Sequence, residues 1–126
     1  MVNQSSSKNG KKKALIIAVS DYDYLSADKQ LSFCRNDGET LYNVLKEQGY
    51  DIPKQYKLIG KVKYSHMKRA ISKFFKDDKL RPKDLLLFYF SGHGYFDSND
   101  HYLVTSNMDP KEPDMNGYLF LKNSRE

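Results

Sequence analysis

The chain has 126 residues, of which 39 % are hydrophobic and 13 % aromatic, with a formal net charge of +5. This length predicts a single domain, and the apolar content is well above that of disordered chains. Lys8, Lys11, Lys12 and Lys13 supply four of the five net charges, which leaves +1 for residues 14–126. The charge therefore lies in a polar segment, residues 1–13, that we expect to be a disordered basic leader. It does not predict nucleic-acid binding.

Two further features bear on the compartment. No apolar run approaches the roughly 18 residues of a membrane helix, and the N-terminus lacks the apolar segment of a secretory signal. Cys34 is the only cysteine, which excludes an intrachain disulfide. These features predict a cytoplasmic protein without membrane contacts.

The first half of the chain predicts a strand, a loop and a helix. Residues 14–20 form a continuous apolar run rich in β-branched side chains, typical of a strand buried on both faces. Residues 21–36 have no clear period and predict a long loop. A helix follows, with Asn36 or Asp37 as its N-cap and Gly49 at its end. Its helical spacing is carried by Leu41, Val44, Leu45 and Gln48.

The second half continues the alternation of strands and helices. A short strand is predicted at residues 56–59, a helix capped by Ser65, and an apolar strand at residues 85–90. The apolar stripe of that helix comprises Met67, Ala70, Ile71, Phe74 and Phe75. Residues 101–105 and 117–121 predict shorter extended segments. This order predicts an α/β fold with a mainly parallel sheet and helices on both faces.

The sequence Ser91-Gly92-His93-Gly94 follows the third predicted strand directly. Ligands of open α/β sheets bind at the carboxyl ends of the strands. The flanking glycines allow a sharp turn and leave the imidazole accessible for proton transfer. A single histidine is more often structural, but its position after a strand that we expect to be central and fully buried favours a functional site.

Three segments carry a family resemblance: "KKKALIIAVSDY", "FCRNDGETLYNVLKEQGYDI" and "DLLLFYFSGHGYF". Together they resemble the N-terminal part of the caspase-fold cysteine peptidases, and the metacaspase and orthocaspase branch more than animal caspases, over residues 12–121. The resemblance implies a three-layer caspase-like fold whose later strands are absent from residues 14–126. It also implies that His93 is the catalytic histidine, which protonates the leaving amine, and that Gly94 donates its backbone N–H to the oxyanion hole.

The resemblance further implies a substrate-binding pocket lined by Cys34, Asp37 and Ser91. An acidic pocket favours Arg or Lys in a protein or peptide substrate and disfavours Asp. Two alternatives remain open at this point. Arg35 lies near the place where animal caspases use an arginine to hold a substrate aspartate, and Asp37 could be an ordinary helix cap.

The nucleophile of this family is a second cysteine downstream of the histidine, and no cysteine follows His93. A C-terminal fragment or separate chain could supply it, in which case the chain alone is predicted to be inactive. Alternatively, the chain is a catalytically inactive caspase-like module for protein interaction, or Cys34 is itself the nucleophile with His93 as its base. Without later strands, we expect apolar residues such as Tyr118, Leu119 and Phe120 to be exposed.

We expect no metal or cofactor, with calcium as an alternative. Four aspartates that follow the histidine carry the oxygen ligands that calcium prefers: Asp97, Asp100, Asp109 and Asp114. Many metacaspases are calcium-activated through a denser acidic run, which this sequence lacks. Aspartates that form turns are the other interpretation.

Overall fold

The computed structural model describes residues 10–97 and 99–122, and the side chains of residues 121 and 122 are outside this description. The six strands are β1 Lys12–Val19, β2 Lys57–Gly60, β3 Leu85–Ser91, β4 Gly94–Asp97, β5 Asp100–Leu103 and β6 Tyr118–Lys122. The helices are α1 Ser32–Glu47, α2 Tyr64–Phe75 and the single turn α3 Pro113–Asn116, with 3-10 turns at Ala27–Lys29 and Lys54–Tyr56. Among these described helices, none is sufficiently long and apolar to cross a membrane.

The main sheet is parallel and has the strand order β2-β1-β3. β1 is its central strand, and its side chains from Ala14 to Val19 are fully buried. Parallel neighbours need crossover connections, which α1 supplies between β1 and β2 and α2 supplies between β2 and β3. The predicted α/β fold with a mainly parallel sheet is therefore confirmed.

The two crossover helices lie on opposite faces of this sheet. Gly38 of α1 packs on Ala18 of β1, whereas the ring of Phe75 in α2 contacts Phe88 of β3 at a centroid distance of 5.9 Å. Phe88 is the register partner of Leu15. Because Leu15 and Ala18 are three positions apart on one strand, they point to opposite faces. The chain thus has the predicted three layers.

A second, antiparallel sheet contains β4, β5 and β6 in that order. The predicted extended segments 101–105 and 117–121 overlap β5 and β6, whereas β4 corresponds to no element predicted from the sequence. Leu119 is 42 % exposed and Phe120 60 % exposed, as expected, whereas Tyr118 is half-buried.

Both long helices begin earlier than the sequence predicted. α1 begins at Ser32, so that Asn36 and Asp37 lie inside the helix and neither is its cap. α2 begins at Tyr64, and Lys63 rather than Ser65 occupies the cap position. The side-chain oxygen of Asn107 accepts the backbone N–H of Tyr64 at 2.9 Å, so a distant residue satisfies the first turn.

The ends of the main sheet also differ from expectation. β1 begins at Lys12, inside the predicted leader, and the Lys13 ammonium pairs with Asp77 at 2.9 Å. Residues 1–9 of that leader lie outside the described residues. β3 was expected to be a central and fully buried strand, but it is half-buried at the edge of the described sheet, where β1 is its one neighbour.

Candidate active site

The candidate site lies where β1 and β3 end. Since these strands are parallel, their carboxyl ends meet at the same edge of the sheet, the usual ligand-binding edge of α/β folds. The loop after β1, the first turn of α1 and the glycine-rich segment after β3 converge there. Every site residue predicted from the sequence lies in or beside these three segments.

Cys34 and Ser91 form a direct contact at this edge. The Ser91 hydroxyl donates to the Cys34 sulfur at 3.0 Å, and Cys34 is only 2 % exposed. Ser91 is the register partner of Ala18, the residue on which Gly38 packs. The close approach of α1 to the sheet at Gly38 therefore brings the cysteine to the serine.

The His93 imidazole is half-buried and has a fixed partner. Its Nε2 lies 2.7 Å from the carbonyl oxygen of Lys29, in the 3-10 turn of the loop after β1. A carbonyl can only accept, so Nε2 carries the hydrogen and Nδ1 is the basic nitrogen of the neutral ring. Sequence reasoning missed Lys29, because a backbone carbonyl has no side-chain signature.

Tyr22 is the second residue that sequence reasoning missed. It is 4 % exposed, and its hydroxyl donates to the carbonyl of Val19 at 3.0 Å and accepts the backbone N–H of His93 at 2.9 Å. Its ring lies 4.8 Å from the imidazole, centroid to centroid. Burial raises the pKa of Tyr22 to about 12, which keeps the phenol protonated well into the alkaline range.

The two glycines beside the histidine have different surroundings. A Cβ at Gly92 would lie 2.7 Å from the Tyr22 hydroxyl oxygen and 3.1 Å from the ring of Phe90, so the tyrosine requires a glycine here. Gly94 is exposed, is the first residue of β4 and pairs with Leu103 of β5.

Acidic and basic side chains surround the edge. Arg35 pairs with Asp21 at 3.4 Å, and Lys61 pairs with Asp23 at 3.0 Å. Asp37 is exposed on α1, one turn after the buried cysteine, and has no ion-pair partner among the described residues. Unlike Asp21 and Asp23, Asp37 therefore has no ion-pair partner among the described residues.

Comparison with known proteins matches this architecture to one family. The model of the caspase domain family matches residues 11–123. The chain belongs to the caspase domain family. It is also 33 % identical over 102 residues to Metacaspase-1 of Debaryomyces hansenii, an alignment that covers 75 % of this chain and 22 % of that protein. The chain thus spans about a fifth of the relative's length.

Within this caspase domain, the predicted site residues form two groups. Cys34 contacts Ser91, and His93 contacts Tyr22 and Lys29. No hydrogen bond joins Cys34 to His93 among the residues that the structure describes. In residues 10–97 and 99–122, no group of three or more His, Cys, Asp or Glu side chains is placed to bind a metal ion. The aspartates considered for calcium are among the residues searched.

Proposed function

We propose that this caspase domain is part of a cysteine endopeptidase in which His93 is the general acid and base. The observation that carries the proposal is the bond from His93 Nε2 to the Lys29 carbonyl, at the ligand-binding edge of the sheet. It leaves Nδ1 to take the proton of an attacking thiol and to return it to the leaving amine. The backbone N–H of Gly94 would stabilise the oxyanion, a contribution of about 3 kcal/mol to the barrier.

The nucleophile would come from outside these 126 residues. Cys34 is the only cysteine in the sequence, and its sulfur is buried against Ser91 rather than placed beside the imidazole. This environment suits a pocket wall better than an attacking thiolate, which needs access to the substrate carbonyl. A C-terminal fragment or separate chain is therefore the proposed partner.

The charge arrangement supports cleavage after Arg or Lys. Asp37 offers a carboxylate without an ion-pair partner among the described residues, one helical turn after Cys34 in α1. Arg35, the residue that could attract a substrate aspartate, is paired with Asp21. A basic side chain would gain from Asp37, whereas an acidic one would be repelled by it.

A panel of fluorogenic peptides that differ only in the residue before the cleaved bond tests this proposal. The tagged protein is purified from its own source together with its bound partners. We expect cleavage after Arg and Lys but not Asp, and a loss of about tenfold or more in kcat/KM for Arg in Asp37→Asn, equivalent to about 1.4 kcal/mol. Glu47→Gln, which removes the same charge from an exposed position at the far end of α1, is the matched control.

Two results would contradict the proposal at different levels. Cleavage after Asp alone would overturn the basic specificity but keep the peptidase. No cleavage of any peptide would favour the second candidate function, an inactive module for protein interaction. The exposed aromatic rings of Phe96 and Phe120 in the antiparallel sheet are the observation that favours that module.

A further inference from the structure

We propose that Tyr22 and Gln30 are positioning residues that fix the ring orientation and tautomer of His93. The inference rests on the proposed role of His93 in proton transfer. Neither residue would touch the substrate or transfer a proton. Both act through the loop between β1 and α1, and the contacts that carry the inference lie in residues 19–31 and 92–93.

Tyr22 holds the histidine at two places. Its hydroxyl accepts the backbone N–H of His93 while donating to Val19, the last residue of β1. The main chain of the histidine is thereby tied to the central strand of the sheet. The tyrosine ring lies against the imidazole with an interplanar angle of 58°, which restricts rotation of the histidine side chain.

Gln30 holds the loop that carries the histidine's other partner. Its side-chain oxygen accepts the N–H of Tyr22 at 2.6 Å, and its side-chain nitrogen donates to the carbonyls of Tyr22 at 2.9 Å and Leu25 at 3.0 Å. These bonds close residues 22–30 into a compact loop. Because Lys29 directly precedes Gln30, the same bonds place the Lys29 carbonyl at His93 Nε2.

The base of this loop is closed as well. The backbone N–H of Leu31 donates to the carbonyl of Ser20 at 2.9 Å, next to the end of β1. The imidazole therefore meets a fixed acceptor on one side and a fixed ring on the other before any substrate arrives. Such preorganisation sets which nitrogen is basic without a change in structure during the reaction.

The test uses nitrogen-15 NMR of the imidazole of this chain, which needs neither nucleophile nor substrate. Wild-type His93 should be mainly the Nε2–H tautomer. Tyr22→Phe and Gln30→Glu should each give a mixed tautomer, and Tyr22→Phe should also speed exchange of the His93 amide by about tenfold or more. Tyr24→Phe is the matched control, since Tyr24 is 58 % exposed in the same loop.

A second readout separates positioning from folding. In the tagged, partner-bound protein, both variants should lower kcat by about tenfold with little change in KM. If the variants melt earlier but the tautomer of His93 stays as in wild type, the two residues are merely structural and the inference is overturned. If wild type cleaves no peptide but the NMR changes occur, the proposed function fails and the positioning stands.

Discussion

Gly38→Ala is the substitution whose effect follows most directly from the packing. A Cβ at Gly38 would lie 2.7 Å from the Cβ of Ala18 and 3.3 Å from Cδ1 of Ile59. Carbon atoms pack at about 3.5–4.0 Å, so α1 would have to withdraw by about 1 Å. Such overpacking costs about 1–3 kcal/mol, and the better helix propensity of Ala offsets about 1 kcal/mol. We expect a net loss of up to about 2 kcal/mol in the free energy of unfolding.

Urea unfolding followed by far-UV circular dichroism measures this loss. Asn43→Ala, at an exposed position of the same helix, is the control and should raise stability by a few tenths of a kcal/mol, roughly the propensity difference. The double variant Ala18→Gly, Gly38→Ala moves the methyl across the contact and should lose less than the two single variants combined. An increase of about 1 kcal/mol in Gly38→Ala, as propensity alone predicts, would refute the close helix–sheet contact.

Three further predictions concern titration and thiol reactivity. Burial raises the pKa of Tyr22 to about 12 in the folded protein. The protonated phenol therefore makes its full contribution to stability below the unfolded pKa near 10, and this contribution is lost as pH rises toward 12. Over that pH range, the free energy of unfolding measured in urea titrations should fall by about 2–3 kcal/mol more in wild type than in Tyr22→Phe. Equal losses in the two proteins would contradict the burial of Tyr22. The Asp84 carboxylate accepts the Lys11 N–H at 2.8 Å, which holds its pKa below the usual range. Its contribution to stability is present above the unfolded pKa near 4 and is lost as pH falls through the lower folded pKa. The melting temperature of wild type should therefore fall more with acid in this range than that of Asp84→Asn, as calorimetry can check. Cys34 should react with a thiol reagent at least about 100-fold more slowly than in urea, and a rate near the unfolded one would exclude its burial against Ser91.

The strongest sequence signals came from buried apolar patterns. β1 and β3 were found to within two residues because a continuous apolar run has few alternatives in an α/β domain. In the stripe of α2, Met67, Ala70 and Phe74 are buried and Ile71 is half-buried, whereas Phe75 is half exposed at the helix end. Periodicity identified the helix but did not determine the burial of its last turn.

The errors arose where distant residues decide local structure. The start of α2 depends on Asn107, 43 positions away from the N–H that it accepts, so no local cap pattern could reveal it. The burial of Cys34 in the first turn of α1 depends on contact with Ser91, 57 positions later. β4 escaped notice because its four residues follow a glycine-rich turn and acquire their structure from pairing with β5.

In the candidate site, too, some residues have a signal in the sequence and others have none. The sequence and its resemblance pointed to His93 and to the contact partners Cys34 and Ser91, since these residues have distinctive side chains in recognisable positions. They gave no sign of the Lys29 carbonyl or of Tyr22, because one is backbone and the other lies in a loop without periodicity. Residues that orient a functional group are recognised by geometry, which only the folded chain supplies.

Covalent labelling of the protein captured from its own source, read by intact-mass spectrometry, tests the proposed peptidase most directly. The reagent is a thiol-reactive peptidyl-arginine probe, with the matching aspartyl probe and a His93→Ala variant as controls. We predict that the arginyl probe labels a longer or associated chain that contains or binds these residues, and that the aspartyl probe and the variant give no label. If a lone chain of 14.7 kDa remains unlabelled by either probe, the peptidase account is contradicted.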